Sequence, residues 1–517
     1  MKKLKLVCVA IAMACATPTL AGGLLTNTNQ HVAFDRMMSR EASIGIDGVY
    51  YNPAGVVFMS EGHHLAINWQ LAFQTRTINN DYALFTNNVN NPITPRDFKG
   101  TAFAPVIPSF QYAYNKGKWS FQASFALTGG GGKCTFDDGL GSFEKIVAET
   151  AIAACQLAGA VDQVAGAYNV PAIFSSNQCF GTEGKYSYNS YMHGRQYYYG
   201  LSAGAAYKFS DNFSAFLGVR GVYALTNYYG YVENIQVGQM PLYKVLNPAK
   251  ESSANIELSC DQSGVGFTPI IGVDYKTGRW NFSAKYEFKT RIRLKNKSVN
   301  QIPSIGNLPD NLRNAYIANG VPEAAADAIL SNPKIQGAMV ALKTQFDSKI
   351  DGAIGEYEDG KKIAGDIPAY LALGVGYSPV DAVRVNVGFH WFDDKNATSY
   401  NNRNKELKRG TLEYNAGVEV DVNKKITLST GWQNTNYGLS DEYMDDKSFV
   451  VSSNSVAIGG VYHINKKMDL NVAYFHTFYQ HKKTSEKVQL TAEKSINYSS
   501  DYTRNNNVFA VGLDINF

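Results

Sequence analysis

The chain is dominated by segments in which apolar and polar residues alternate one for one. From residue 280 to 294 apolar side chains take the even positions, beginning with Trp280, Phe282 and Ala284, and polar side chains take the odd ones. The same period of two continues through residues 383–391. Because successive side chains of a strand point to opposite faces, this pattern gives one face suited to lipid and one suited to water. The pattern therefore predicts long β-strands.

Fourteen such segments follow one another along the chain. They lie near 63–78, 105–115, 118–128, 193–209, 212–232, 263–276, 279–298, 364–378, 382–399, 405–421, 425–437, 452–464, 467–484 and 502–517. An even number is what a closed single-chain barrel requires. A soluble sandwich also alternates, but its strands are usually shorter and a second sheet must cover the inner face. We therefore predict an all-β fold, a fourteen-stranded antiparallel transmembrane β-barrel.

The connections between these strands are alternately short and long. Tight turns at 115–118, 210–212, 276–279, 378–381, 422–425 and 465–467 alternate with longer loops. Outer-membrane barrels have short periplasmic turns and long extracellular loops, so we expect a bacterial outer-membrane location with both termini periplasmic. Loops 129–192 and 299–363 carry helical patterns. Each apolar stripe either packs on its own loop or forms an apolar catch-site outside the membrane.

Both ends of the chain suit an exported barrel. Residues 1–21 join a basic start, an apolar stretch too short to span a bilayer and a small-residue cleavage site, which is typical of a signal peptide. The chain ends on Phe517, on the same strand face as Phe509, and this ending resembles the assembly signal of outer-membrane proteins. The predicted domains are a signal peptide (1–21), an N-terminal plug (22–62) and the barrel (63–517).

The plug segment carries the most recognisable motif. Residues 22–62 do not alternate, and fourteen strands enclose a lumen too wide for wall side chains to fill, so we place them inside the barrel. Residues 42–59 read ASIGIDGVYYNPAGVVFM, with Asn52, Pro53 and Ala54 as the central turn. This stretch resembles the N-terminal hatch of the long-chain fatty acid transporter family, FadL, and of related aromatic hydrocarbon porins such as TodX.

The resemblance implies the function. It implies a monomer that is surrounded by the lipid of the outer membrane. Such a protein takes up hydrophobic small molecules, namely long-chain fatty acids or similar compounds. Ligand would enter through a low-affinity groove in the extracellular loops, bind in the lumen and leave by hatch rearrangement and lateral diffusion through an opening in the wall. In that family the opening interrupts the third strand. Here the third strand is followed at once by the candidate opening, Gly129, Gly130, Gly131 and Gly132, which is either a gap in the wall or a flexible exit into the loop.

A carboxylate ligand would need a cation in the lumen. The lumen-facing candidates from the alternation are Arg220, Lys285, Lys289, Arg291, Arg293 and Arg384. The alternative is that these cations only pair with lumen acids such as Glu287, Glu413, Glu419 and Asp514.

The cysteine count bears on disulfide pairing, and the charge balance bears on whether the protein binds nucleic acid. Cys134, Cys155, Cys179 and Cys260 follow the signal segment, and an even number in an exported chain predicts two disulfides, for which the sequence leaves three connectivities open. Proximity within one loop favours Cys155 with Cys179, which leaves Cys134 with Cys260. The chain has 48 basic and 44 acidic residues, and three of the basic ones lie in the signal segment, which leaves 45 against 44 and no reason to invoke nucleic acid.

We expect no enzyme, metal or cofactor, because no Cys/His cluster with metal spacing and no catalytic constellation is found. The alternative functions are a general porin, which needs no plug, and a surface adhesin or structural barrel, which would use its long loops for partner contact. These alternatives remain open at the level of the sequence.

Overall fold

The computed structural model describes residues 24–490 and 494–517, so the predicted signal peptide lies outside the described residues. Within them, fourteen strands form one closed antiparallel sheet, because β1 pairs with both β2 and β14. The strands are β1 (Gly62–Tyr82), β2 (Arg96–Lys116), β3 (Trp119–Phe136), β4 (Tyr186–Lys208), β5 (Phe213–Val237), β6 (Ile256–Thr277), β7 (Trp280–Glu287 and Arg293–Gln301), β8 (Lys362–Ala364 and Tyr370–Val380), β9 (Val383–Phe392), β10 (Thr411–Asn423), β11 (Ile426–Asn436), β12 (Ser453–Asn465), β13 (Met468–Tyr479 and Lys482–Gln489) and β14 (Ser495–Asn516). The predicted transmembrane barrel is confirmed.

The outer surface of the wall carries an apolar band. On β6, Val265 and Phe267 are 63% and 70% exposed, and the outward series continues to Tyr275, whereas Thr268 and Asp274 point inward and are buried. A tilted strand needs roughly 9–11 residues to cross a bilayer, which is the length of this outward series. The alternation in the sequence is therefore a division between lipid and lumen.

Short turns occupy one rim and helix-bearing loops the other. All six predicted tight turns are confirmed, and β1 begins at the same rim at which β14 ends, with His64 opposite Asn516. The helices are α1 (Val32–Asp35) and α2 (Gly48–Tyr51) before the barrel, and α3 (Gly141–Gly166), α4 (Tyr243–Leu246), α5 (Leu308–Ala318), α6 (Glu323–Leu330) and α7 (Pro333–Ile354) in the loops. Shorter elements are 3-10 turns at Gly55–Phe58, Ala83–Asn87, Glu251–Ala254, Gly355–Tyr357, Asp394–Asn396 and Tyr400–Glu406, and a two-residue strand, Met240–Pro241.

No helix in the described part of the chain is both long and apolar enough to cross a membrane.

β7 contains one residue more than its partner strand. Glu287 lies opposite Ile270 of β6, and Lys295 lies opposite Ser263, so seven residue steps on β6 match eight on β7. The extra residue falls in residues 288–292, between the two pieces of the strand. A single inserted residue reverses which side chains face the lumen from that point on.

This bulge overturns two of the predicted lumen cations. Arg291 and Arg293 are exposed on the outside of the barrel, while Ile292 and Leu294 are almost completely buried. The prediction that these two arginines face the lumen is wrong, because an uninterrupted alternation in the sequence cannot reveal an inserted residue. The reversal lets the two apolar side chains join an inward cluster that contains Tyr198, Val222, Ala224, Ile363 and Ile367.

The predicted disulfides are absent. Cys134, Cys155, Cys179 and Cys260 are all buried free thiols. Cys134 lies in β3 and Cys260 in β6, with two strands between them, so a spacing of about 4.8 Å per strand puts their backbones far beyond the ~7 Å that a disulfide spans. Burial raises the pKa of the Cys155 and Cys179 thiols, which lie in the loop after β3. The even count of cysteines after the predicted signal segment therefore does not indicate pairing.

Candidate functional site

The segment before β1, residues 24–61, lies inside the barrel and is called the hatch below. The predicted motif Asn52-Pro53-Ala54 fixes it to the wall. Asn52 Nδ2 donates to the Asp274 carboxylate of β6 at 2.6 Å. The next two carbonyl oxygens accept hydrogen bonds from other strands: Gln122 of β3 donates to Pro53 and Ser214 of β5 donates to Ala54, each at 2.7 Å. The motif therefore sits on three strands of the wall near the short-turn rim.

Replacing Asn52 with alanine is expected to loosen the hatch without unfolding the barrel. The change removes the bond to Asp274 and the bond that Oδ1 accepts from Gly55 N at 3.1 Å, a loss of about 1–3 kcal/mol. Asn281 still donates to Asp274, at 2.8 Å. Faster hydrogen exchange in residues 24–59 and reduced uptake, with unchanged heat-modifiable gel mobility, would support the role. The control is Asn90→Ala on an exposed loop, and hatch exchange equal to that control would contradict it.

Ionic contacts also hold the hatch against the wall. Arg36 and Arg40 of the hatch both contact the Glu419 carboxylate of β10. On the neighbouring strand, His390 lies between two carboxylates, 2.7 Å from Glu41 of the hatch and 2.9 Å from Glu413 of the wall. These groups are almost completely buried. Removing one member of a buried pair typically costs about 3–5 kcal/mol, so this network favours a seated hatch.

Three of the predicted ligand cations are partners in such lumen pairs. Arg220 Nη1 lies 2.5 Å and Lys285 Nζ 3.0 Å from the Glu287 carboxylate. Lys285 also donates to the Tyr50 carbonyl of the hatch at 2.6 Å. Arg384 binds the carboxylates of Glu419 and Asp421, at 3.3 and 2.6 Å. These contacts favour the alternative interpretation, pairing with lumen acids.

Lys289 lies apart from this group. Its ammonium donates to the Asn396 carbonyl at 3.0 Å and lies 4.0 Å from the Asp366 carboxylate, near the long-loop rim. None of these contacts brings Lys289 to the hatch. The six predicted cations therefore do not form one site.

The ladder between β2 and β3 is interrupted in the middle of the wall. Residues 109–116 pair with 119–126, and residues 100–102 pair with 134–136, but the residues between have no partner across this ladder. On β2 this stretch contains Pro105 and Pro108, which have no N–H to donate. On β3 it contains all four glycines, and Gly130 and Gly131 have φ of 70° and 128°. Because β3 continues to Phe136, the glycines are not the exit from strand to loop.

The hatch covers the backbone that this interruption leaves open. Asn27 donates three hydrogen bonds to β3: its Nδ2 to the carbonyls of Leu127 and Gly130, at 3.2 and 2.7 Å, and its backbone N to Thr128 at 2.9 Å. Thr26 forms an isolated β-bridge with Gly129. Unpaired backbone at membrane depth is tolerated only where protein covers it, and here the covering segment belongs to the hatch.

An apolar cluster lies on the lumen side of the interrupted ladder. Phe34 and Tyr51 of the hatch stack with their ring centroids 5.2 Å apart. They belong to one buried cluster with Ile107 of β2 and Leu127 of β3, both of which come from the interrupted stretch. The inner side of the gap is thus lined by side chains that favour an apolar ligand over water.

The two longest helix-bearing loops pack together with α4 at the other rim and line an apolar groove with a cavity volume of about 60 Å³. α3 contributes Leu157 and Val161, and α7 contributes Leu342. The stripe on α7 therefore packs across to the other loop rather than only on its own. The groove is also lined by Phe174, Leu246 and Leu312.

Sequence reasoning missed a pair of lumen arginines. Arg76 of β1 and Arg504 of β14 are directly opposite each other, are at most 5% exposed and both donate to Gln74 Oε1, at 3.1 and 2.7 Å. Each guanidinium also lies over an aromatic ring, Arg76 over Phe449 and Arg504 over Tyr479. The inward alternation through residues 72–76 could have identified Arg76, but the pairing with Arg504 depends on the closure of the barrel.

No protein-family model matches the chain, and no curated protein matches it in sequence. Solved structures do match the chain, in fold. A FadL homologue from Pseudomonas aeruginosa superposes with a TM-score of 0.59 at 14% identity, covering 96% of this chain and 100% of the other. A TodX deltaS2S3 mutant, a monoaromatic hydrocarbon channel, gives 0.52 at 14% identity, covering 94% and 99%. The likeness confirms, at the level of the fold, the resemblance that the hatch motif indicated.

Proposed function

We propose that this protein is a bacterial outer-membrane transporter that takes up hydrophobic compounds, with its termini periplasmic and its long loops extracellular. Ligand binds first in the loop groove, passes into the lumen and leaves sideways into the bilayer through the β2–β3 interruption. An apolar molecule gains little from an aqueous pore, whereas each methylene buried in a dry site contributes about 0.8 kcal/mol. Such a path keeps the ligand away from water throughout.

The observation that carries this proposal is the interrupted ladder beside an apolar lumen cluster. A general porin needs neither a wall gap nor a lumen filled by a hatch, and an adhesin needs no route through its wall. The shared fold with a FadL homologue and a monoaromatic hydrocarbon channel supports fatty acids and aromatic hydrocarbons as the ligand classes. In this interpretation the seated hatch is the closed state, and its movement releases ligand.

The loop groove is tested by placing a charge in it. Leu342→Asp is expected to weaken binding of a fluorescent fatty acid to the detergent-solubilised protein about tenfold or more, because a carboxylate in an apolar site must be desolvated. Uptake should then show a higher KM with little change in the maximal rate. The matched control is Val340→Asp on the same helix, since Val340 is 64% exposed and does not line the groove. Equal effects of the two changes would remove the groove from the pathway.

Replacing the arginine pair, Arg76 and Arg504, tests whether the ligand carries a carboxylate. Two guanidinium groups side by side suit a carboxylate, so replacing Arg76 and Arg504 with glutamine is expected to lower fatty acid uptake about tenfold or more. Uptake of toluene, which has no charge, should change little. Competition between labelled oleate and toluene in the same cells is the measurement. A loss that is equal for both compounds would show that the pair is structural.

A further inference from the structure

The bulge in β7 places a row of cations on the outside of the barrel. Arg291, Arg293, Lys295 and Lys297 all have exposed side chains on the outer face of this strand. On the next strand Lys362 is also exposed, and it lies directly opposite Lys295. These five residues are called the basic ladder below.

The protein neutralises only part of this charge. Arg293 Nη1 lies 2.8 Å from the Asp366 carboxylate, and Asp261 of β6 is opposite Lys297 in the register. Among the side chains that the structure describes, which exclude those of residues 345 and 349–354, no ion pair is found for Arg291, Lys295, Lys297 or Lys362. Like charges directly opposite on neighbouring strands are destabilising, so the Lys295–Lys362 pair favours binding of an external anion.

The basic ladder straddles the end of the apolar band. Lys295 and Lys297 lie closer to the long-loop rim than the two arginines do. They are opposite Ser263 and Asp261, where the outward face of β6 is polar. Below that point the outward side chains of β6 are Val265 and Phe267, which are strongly exposed. The level at which an apolar band gives way to polar residues is the level of lipid headgroups. The ladder therefore lies at the headgroup level of the long-loop rim.

We propose that the basic ladder binds the phosphorylated headgroup of a glycolipid in the membrane leaflet at the long-loop rim. Guanidinium and ammonium groups are the usual partners of phosphate, and each cation near an anionic lipid surface contributes measurably to attraction. The apolar side chains just below suit the acyl chains of the same molecule. Only the assignment of this rim to the outer leaflet rests on the proposed function.

The test uses the full-length barrel in a non-ionic detergent. Diphosphorylated lipid A, dephosphorylated lipid A and inorganic phosphate are titrated separately, and bound lipid is measured by native mass spectrometry. The variant changes Arg291, Lys295, Lys297 and Lys362 to glutamine and keeps Arg293, which pairs with Asp366. At about fivefold per cation, diphosphorylated lipid A should bind the variant at least about 100-fold more weakly.

A matched control removes the same charge at the other rim. Lys424, Lys425, Lys466 and Lys467 are exposed in the short turns, and their change to glutamine should leave lipid A binding unchanged. Equal binding of the two lipid A forms, equal losses in both variants or full displacement by inorganic phosphate would overturn the proposal. If the four-residue variant does not fold, Lys295→Gln with Lys362→Gln relieves a like-charge contact and tests the same loss, at about 25-fold.

Failure of the lipid-binding proposal can be distinguished from failure of the transport proposal. The basic ladder lies outside the lumen, so the four-residue variant should take up labelled fatty acid as the unchanged protein does. Equal binding of the two lipid A forms by the unchanged protein, with intact uptake, would overturn the lipid-binding proposal alone. Absent uptake in the unchanged protein, with phosphate-dependent lipid binding retained, would overturn the transport proposal alone.

Discussion

Deleting residues 24–59 should convert the protein into an open aqueous channel. Barrels of about eight strands fill their interior with wall side chains, whereas barrels of sixteen to eighteen leave a water-filled lumen, so fourteen strands need additional material to close them. Here that material is the hatch, which the Glu419 contacts and the Asn52 turn hold in place. Conductance in planar bilayers should rise from the level of the bare membrane to that of an open porin.

The deletion can be designed so that the wall itself is preserved. Ser60 and Glu61 remain because the Ser60 carbonyl contacts His64 Nε2 at 2.8 Å and Glu61 accepts a hydrogen bond from Gly117 N at 2.9 Å. The control deletes residues 319–354, an equal length of loop, and leaves the hatch in place. Conductance that stays closed without the hatch, in a barrel of normal heat-modifiable mobility, would show that something else blocks the lumen.

Replacing Gly130 and Gly131 with valine should trap ligand in the lumen. Both residues have positive φ, which valine adopts only at a cost of roughly 1–2 kcal/mol each, and a Cβ on Gly130 would clash with the Gln196 carbonyl. The strand is therefore forced towards regular β geometry, which removes the bend and brings β3 towards β2. Uptake should fall by tenfold or more, roughly the effect of 1.4 kcal/mol on a barrier, while ligand retained after purification should increase.

A control at Gly320 distinguishes the effect of backbone strain from the effect of closing the wall. Gly320, between α5 and α6, has a φ of 82° and nothing within 4 Å of an added Cβ, so Gly320→Val introduces comparable strain away from the wall. Hydrogen exchange of residues 103–108 reports whether β2 has gained a partner. If those amides become protected and uptake continues at its original rate, ligand leaves through the periplasmic end.

The period-two alternation carries enough information to predict the barrel. Every strand had a counterpart in the sequence, and the six tight turns were visible because polar residues interrupt the alternation there. α5 was not predicted, although its buried residues Leu308, Leu312 and Tyr316 are four positions apart and so lie on one helix face. Three apolar residues on one face of a short segment that is rich in polar residues give a weaker signal than the long alternation of the wall.

The candidate site depends on long-range register, which a single sequence does not specify. The bulge that turns Arg291 outward leaves no mark on the alternation, and the pairing of Arg76 with Arg504 requires the first and last strands to meet. The glycine run was identifiable from its composition, but the Asn27 contacts that cover it join residues about a hundred positions apart. Pattern predicts which residue types are available, and closure of the barrel determines which of them meet.

The most direct test of the proposed transport function is uptake by bacteria that lack their own fatty acid transporter and express this protein. Entry of labelled oleate, labelled toluene and labelled sucrose is measured side by side against cells carrying the empty vector. We expect faster entry of at least one of the two hydrophobic compounds, with sucrose at the level of the control cells. An equal increase for sucrose would identify an open porin, and no increase for any compound would contradict transport.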